Sequence, residues 1–140
     1  MSSDPASASQ FHELAKDAGN RLKSYILAYA SGATGVFFLT LSNTSVSYSR
    51  FQKACLIAAL LFFVLTAGVC LYELHIDARR FFNVAKQLER PEHEQKWDLN
   101  EKYKVLRVTL LYGSYITVAL GTVAAVAFLI ARVSQQGSLG

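Results

Sequence analysis

The chain has 140 residues, enough for one domain spanning 1–140, and 52% of them are hydrophobic while only 17% are charged. Soluble proteins average about 25% charged residues, so the composition points away from a soluble enzyme and towards the bilayer. The net charge of +4 does not indicate nucleic acid. Between Arg79 and Lys104 seven basic residues alternate with five acidic ones, a mixed solvated surface and not a phosphate-tracking stripe.

Residues 1–8 read as a loose polar tail without the basic-then-apolar pattern of a signal peptide, so insertion is expected to be driven by the spans themselves. Ser7 to Gln10 fits a capping box, and Phe11, Leu14, Ala18, Leu22 and Tyr25 recur at spacings of three and four. This predicts a juxtamembrane helix over 9–23, with Gly19-Asn20 able to break or bend it. No charge occurs from Ser24 to Ser49, and its apolar part, 25–41, is the first span. Within it Ala28 and Gly32, and Ser31 and Gly35, have the small-xxx-small spacing that lets helices approach closely. A polar loop follows, in which Asn43-Thr44-Ser45 formally matches a glycosylation acceptor.

The second span covers 54–76 and opens with nineteen uncharged residues, Ala54 to Tyr72. It continues without a proline to residue 90, with Phe81, Val84, Ala85 and Leu88 expected to pack against neighbouring helices. At about 1.5 Å per residue this helix outruns a hydrocarbon core of about 30 Å and must stand out of the membrane. Pro91 ends it. Asp98-Leu-Asn-Glu101 reads as a capping box for a helix over 98–107, which leads into a third span at 108–131. Along that span Thr109, Gly113, Thr117, Gly121 and Ala125 form a ladder of small residues at spacing four. The fold class is therefore an all-α integral membrane protein with three transmembrane helices and helical cytoplasmic extensions.

Eleven Lys and Arg residues flank one set of span ends and three flank the other, which places the N-terminus and the 77–107 hairpin in the cytoplasm and the C-terminus outside. The candidate helix-packing residues are Gly32, Gly35, Gly113, Thr117, Gly121 and Ala125. Glu73, Asp77 and Arg80, at the inner end of the second span, share one helix face. They read as a solvated or salt-bridged helix exit, or as a pore mouth if copies gather about an axis. Thr34, Thr66, Ser114 and Thr117 are expected to bond to neighbouring helices or their own backbone more than to line a wet path.

No phosphate-binding loop, nucleophile elbow or metal-ligand spacing occurs. His12, His75 and His93 are scattered, and Cys55 and Cys70, about 22 Å apart on one helix, are too distant to bridge. Catalytic residues, cofactors and metal are accordingly expected to be none. In outline the juxtamembrane helix, the two-span hairpin and the long amphipathic helix carrying Tyr72, Arg79, Phe81, Phe82 and Leu88 resemble the SLATT family across residues 9–90, although the third span departs from that pattern. The resemblance implies a small bacterial inner-membrane effector that forms pores. The residues themselves favour a small non-enzymatic membrane protein that assembles with itself or within a larger membrane complex, its other partner being the lipid bilayer. A pore-forming effector or channel gated through the cytoplasmic hairpin is the alternative.

Overall fold

The structure, a computed structural model, describes residues 5–43, 45–94 and 96–137. Three long helices make up nearly all of it: α1 (Pro5–Ser42), α2 (Arg50–Leu88) and α3 (Asp98–Gly137), with a 3-10 turn at Glu92–Glu94 between the last two. Among the described residues there is no strand. All three helices are long and apolar enough to cross a membrane, as expected of a multi-pass membrane protein. Residues 1–4 and 138–140, and Thr44 of the glycosylation pattern, lie outside the described residues.

Each juxtamembrane helix is continuous with its span. α1 starts at Pro5, ahead of Ser7, and runs unbroken through Gly19-Asn20. One glycine costs about 1 kcal/mol in a helix interior, too little to stop a helix of 38 residues. α2 begins at Arg50, four residues before the apolar run, because Ser49 caps it. The Ser49 hydroxyl accepts from the Gln52 N–H at 3.2 Å and the Gln52 Oε1 accepts from the Ser49 N–H at 3.1 Å, a reciprocal capping box. The same Gln52 amide donates to the Ala131 carbonyl at 3.2 Å and to Gln135 Oε1 at 2.9 Å. At the start of α3 the Trp97 carbonyl accepts from the N–H groups of Asn100 and Glu101. Asp98 and Glu101 thus stand inside the first turn, where acids suit the positive end of the helix dipole.

α2 lies between the other two helices and packs more extensively on α3 than on α1. Its buried residues are Gln52, Leu56, Ala59, Phe63, Thr66, Cys70, Glu73, Ile76 and Gln87. From Gln52 to Glu73 their spacings alternate four and three, a heptad-like seam. Phe63 is the centre of the core and is fully buried. Phe37 stacks on it at 5.8 Å between centroids and Tyr29 meets it edge-on at 5.5 Å. Ala30, Ala59 and Ala125 complete the cluster. Gly121 makes room for this ring, since a Cβ at that position would lie 3.1 Å from the Phe63 ring and 3.2 Å from the Phe62 Cβ.

The seam corrects the expected packing of the α2 extension. Phe81 and Leu88 are exposed, because each stands one residue, or about 100°, off the stripe that continues through Arg80, Val84 and Gln87. Polar ties replace the expected apolar ones. Arg80 Nε donates to Asn100 Oδ1 at 2.9 Å, and the Lys96 N–H donates to Gln87 Oε1 at 3.0 Å. Lys16 lies 5.5 Å over the exposed Phe81 ring.

Gly121→Leu is expected to destabilise the bundle by about 1–3 kcal/mol or more, the usual cost of overpacking, with Gly121→Ala milder. A Cβ at Gly113 meets nothing within 4 Å, so Gly113→Ala should be neutral or slightly stabilising. Unfolding in mixed micelles, followed by circular dichroism, checks the ranking. Equal midpoints for Gly121→Leu and Gly113→Ala would contradict this packing.

Candidate functional site, a four-charge cluster joining the helices

The first charge after the apolar run of α2 is Glu73, and Asp77 follows one turn later. Two carboxylates at that spacing repel each other on an isolated helix. Here a cation from each neighbouring helix bridges both. Lys23 Nζ of α1 lies 2.5 Å from Glu73 Oε1 and 3.4 Å from Asp77 Oδ2. Arg107 Nε of α3 lies 3.7 Å from Glu73 Oε1 and 3.2 Å from Asp77 Oδ1. The Glu73 side chain is 1% exposed and that of Lys23 11%. Two positive and two negative charges thus close a neutral ring across all three helices. Removing one member of such a buried set strands the others and costs more than the set contributes in net stability.

The cluster sits at a defined depth. From Lys53, the last charge before the apolar run, to Glu73 is twenty residues, or about 30 Å of helix. That equals the hydrocarbon thickness of a typical bilayer. A hydrocarbon core spanning this run would have the cluster at one of its boundaries, with α2 continuing beyond it to Leu88.

Of the residues expected at this position, Glu73 and Asp77 come together and Arg80 does not join them; Arg80 turns to Asn100 instead. Lys23 and Arg107 are the partners that sequence reasoning missed. The signal was there, since Lys23 is the last charge before the first span and Arg107 the last before the third. Three last charges at one boundary are positioned to meet.

The candidate packing residues divide. Gly121 and Ala125 are buried against α2, and Thr117 Oγ1 is hydrogen-bonded to Thr66 Oγ1 at 2.8 Å. Gly113 has open space above it and Thr109 is exposed. A spacing of four advances about 40° around a helix of 3.6 residues per turn, so the ladder leaves the interface within two or three steps. Gly32 and Gly35 are exposed with nothing within 4 Å of a Cβ. Ala30, Ala33 and Phe37 supply the inward face of α1 instead.

The threonine hydroxyls inside the spans, and that of Ser114, are occupied. Thr34, Thr109, Thr117 and Thr122 donate to the carbonyl four residues back, and Ser114 to the carbonyl three back, while the single Thr66 proton is shared between the Phe62 carbonyl and Thr117 Oγ1, which accepts it. Tyr29 and Thr122 share a hydrogen bond of 3.2 Å between α1 and α3. His75 stacks on Tyr72 and His93 lies beside Glu94, while the His12 side chain is outside those described. Among the described residues no group of three His, Cys, Asp or Glu is placed to hold a metal ion.

Comparison with protein families, with curated proteins and with solved structures returns no match to this chain. The outline resemblance to the SLATT family therefore assigns nothing, and the geometry alone carries the functional reading.

Glu73→Gln and Lys23→Gln are each expected to lower the unfolding free energy by about 3–5 kcal/mol, as for breaking a buried ion pair. Arg80→Gln should lower it by only about 1 kcal/mol, the scale of one ordinary hydrogen bond. The exchanged pair Lys23→Glu with Glu73→Lys should recover part of the loss. A double-mutant cycle showing strictly additive effects would mean that the two side chains do not interact.

Proposed function

We propose that this chain is a small non-enzymatic integral membrane protein that assembles with itself or as a subunit of a larger membrane complex. The observation that carries the reading is the outward face of α1. Ala28, Ser31, Gly32 and Gly35 lie exposed at small-xxx-small spacing, and a side chain at either glycine would meet open space. In lipid, helices associate through close backbone approach and not through hydrophobic drive, so this face suits a further helix. The inward face of the same helix is already used by Ala30, Ala33 and Phe37, which leaves the small residues for something outside the three-helix unit.

The pore-forming alternative draws no support from the charged cluster. Glu73 and Asp77 face Lys23 and Arg107 inside the bundle, so they do not stand ready to line an axis between copies. The proposed orientation places the charge-rich side, with the N-terminus and the 77–107 hairpin, in the cytoplasm and the C-terminus outside, on the eleven-to-three distribution of Lys and Arg. A bacterial inner membrane is the proposed setting.

The test is the mass of the protein in detergent or nanodiscs. The parent should run as a multiple of 15.4 kDa or with a defined co-purifying chain. Gly32→Leu with Gly35→Leu should reduce it to the single chain while leaving the helical signal unchanged. A parent that is already a lone 15.4 kDa chain would sink the proposal.

A further inference from the structure

A groove of about 500 Å³ runs between α2 and α3 just outside the four-charge cluster, lined by His75, Arg79, Phe82, Asn83, Lys86 and Tyr103 among others. No carboxylate lines it. Arg79 and Lys86 are exposed, and among the described residues neither forms an ion pair. The Asn83 Nδ2 is buried and has no hydrogen-bond partner. A buried amide donor without an acceptor costs about 1–3 kcal/mol, so turning the Asn83 amide into the groove to meet an incoming acceptor would relieve that cost. Arg79, Lys86, Asn83 and Tyr103 give this groove a positively charged lining that contains donors and no carboxylate. The cleft of about 330 Å³ between α1 and α2 differs in kind, since the Lys23 and Asp77 in its wall already neutralise each other.

We propose that the α2–α3 groove binds a phosphate-bearing anion, held by Arg79 and Lys86 and by the free donor of Asn83. A phosphate group presents several acceptor oxygens and full negative charge, and charge-assisted hydrogen bonds are about twice as strong as neutral ones. The depth of the groove admits two sources of that chemistry. His75 stands about 3 Å and Arg79 about 9 Å along the helix beyond Glu73, which is the level of the lipid headgroups. Lys86 stands about 20 Å beyond it, in water. A lipid headgroup would enter from the membrane end, with its acyl chains along the exposed apolar faces of the spans. A soluble phosphate would enter from the far end.

The full chain, purified in an uncharged detergent, is titrated with phosphatidic acid, with phosphatidylcholine and with inorganic phosphate, and bound mass is read by native mass spectrometry. Phosphatidic acid should bind at least about tenfold more tightly than phosphatidylcholine, and Arg79→Gln and Asn83→Leu should each weaken it about tenfold, the scale of a hydrogen bond to a charged group. Lys102→Gln, exposed and outside the groove, should change it by less than about twofold, as for a screened surface charge. Displacement of phosphatidic acid by excess inorganic phosphate identifies soluble phosphate as a ligand too, and failure to displace it identifies the lipid headgroup; both outcomes uphold the groove. Equal affinity for the two lipids, or a loss in Lys102→Gln matching that in Arg79→Gln, reduces the effect to diffuse positive charge and overturns the assignment. If Asn83→Leu alters the helical signal, Arg79→Gln, whose side chain is exposed, decides the matter by itself.

Discussion

Charge pairing at the hydrocarbon boundary is the constraint on which the rest of the bundle depends. Inside lipid there is no hydrophobic drive for one apolar side chain to choose a protein neighbour over an acyl chain, so apolar burial by itself selects helix pairing and register less strongly than it does in water. Lys23, Glu73, Asp77 and Arg107 fix both. A slide of α1 or α3 by one turn would move a cation about 5 Å and leave carboxylates unpaired in a nearly dry site. The Thr66–Thr117 hydrogen bond and the Gln52 contacts to Ala131 and Gln135 repeat the same alignment at mid-membrane and at the far end. Three polar ties at three depths hold α2 and α3 antiparallel in a single register, and the Phe63 ring fills the space that this register leaves opposite Gly121.

The number and order of the spans were legible because they follow from one-dimensional signals. Uncharged runs bounded by Lys, Arg and Glu define the spans, and Pro91 separates the second from the third. Which face each helix turns inward was much less legible. The ladder at spacing four was placed on one face of the third span, yet a period of four drifts around a helix. Only Thr117, Gly121 and Ala125 of that ladder reach α2. The seam of α2 alternates spacings of four and three from Gln52 to Glu73, and the buried residues of α2 include Gln52, Thr66, Glu73 and Gln87, polar residues that a search for apolar periodicity discards. Phe81 and Leu88 are large and apolar, yet both are exposed beside the seam.

The same reason explains how the candidate site was half found. Glu73 and Asp77 stood out as carboxylates at a membrane boundary. Their partners were counted among the basic residues that set orientation. Lys23 and Arg107 belong to both sets, and only the antiparallel geometry of α1 with α2 and of α2 with α3 makes the second role visible. Burial of a charge at a span boundary is as strong an indicator of a structural partner as of a channel, and in this chain the partner is internal.

The ring of charges also has a history within each molecule. Lys23 emerges from the ribosome fifty residues ahead of Glu73, and at about 5–20 residues per second it waits roughly 3–10 s for its partner. During that interval its ammonium group can stay solvated only by extending towards the headgroups, which pins the first span at the boundary before the second has been inserted. When Glu73 and Asp77 follow, they meet a cation already at their own depth. Arg107 arrives last and closes the set. The order of synthesis thus puts the earliest charge of the ring at the boundary first, where it would act as a mooring for the helices made after it.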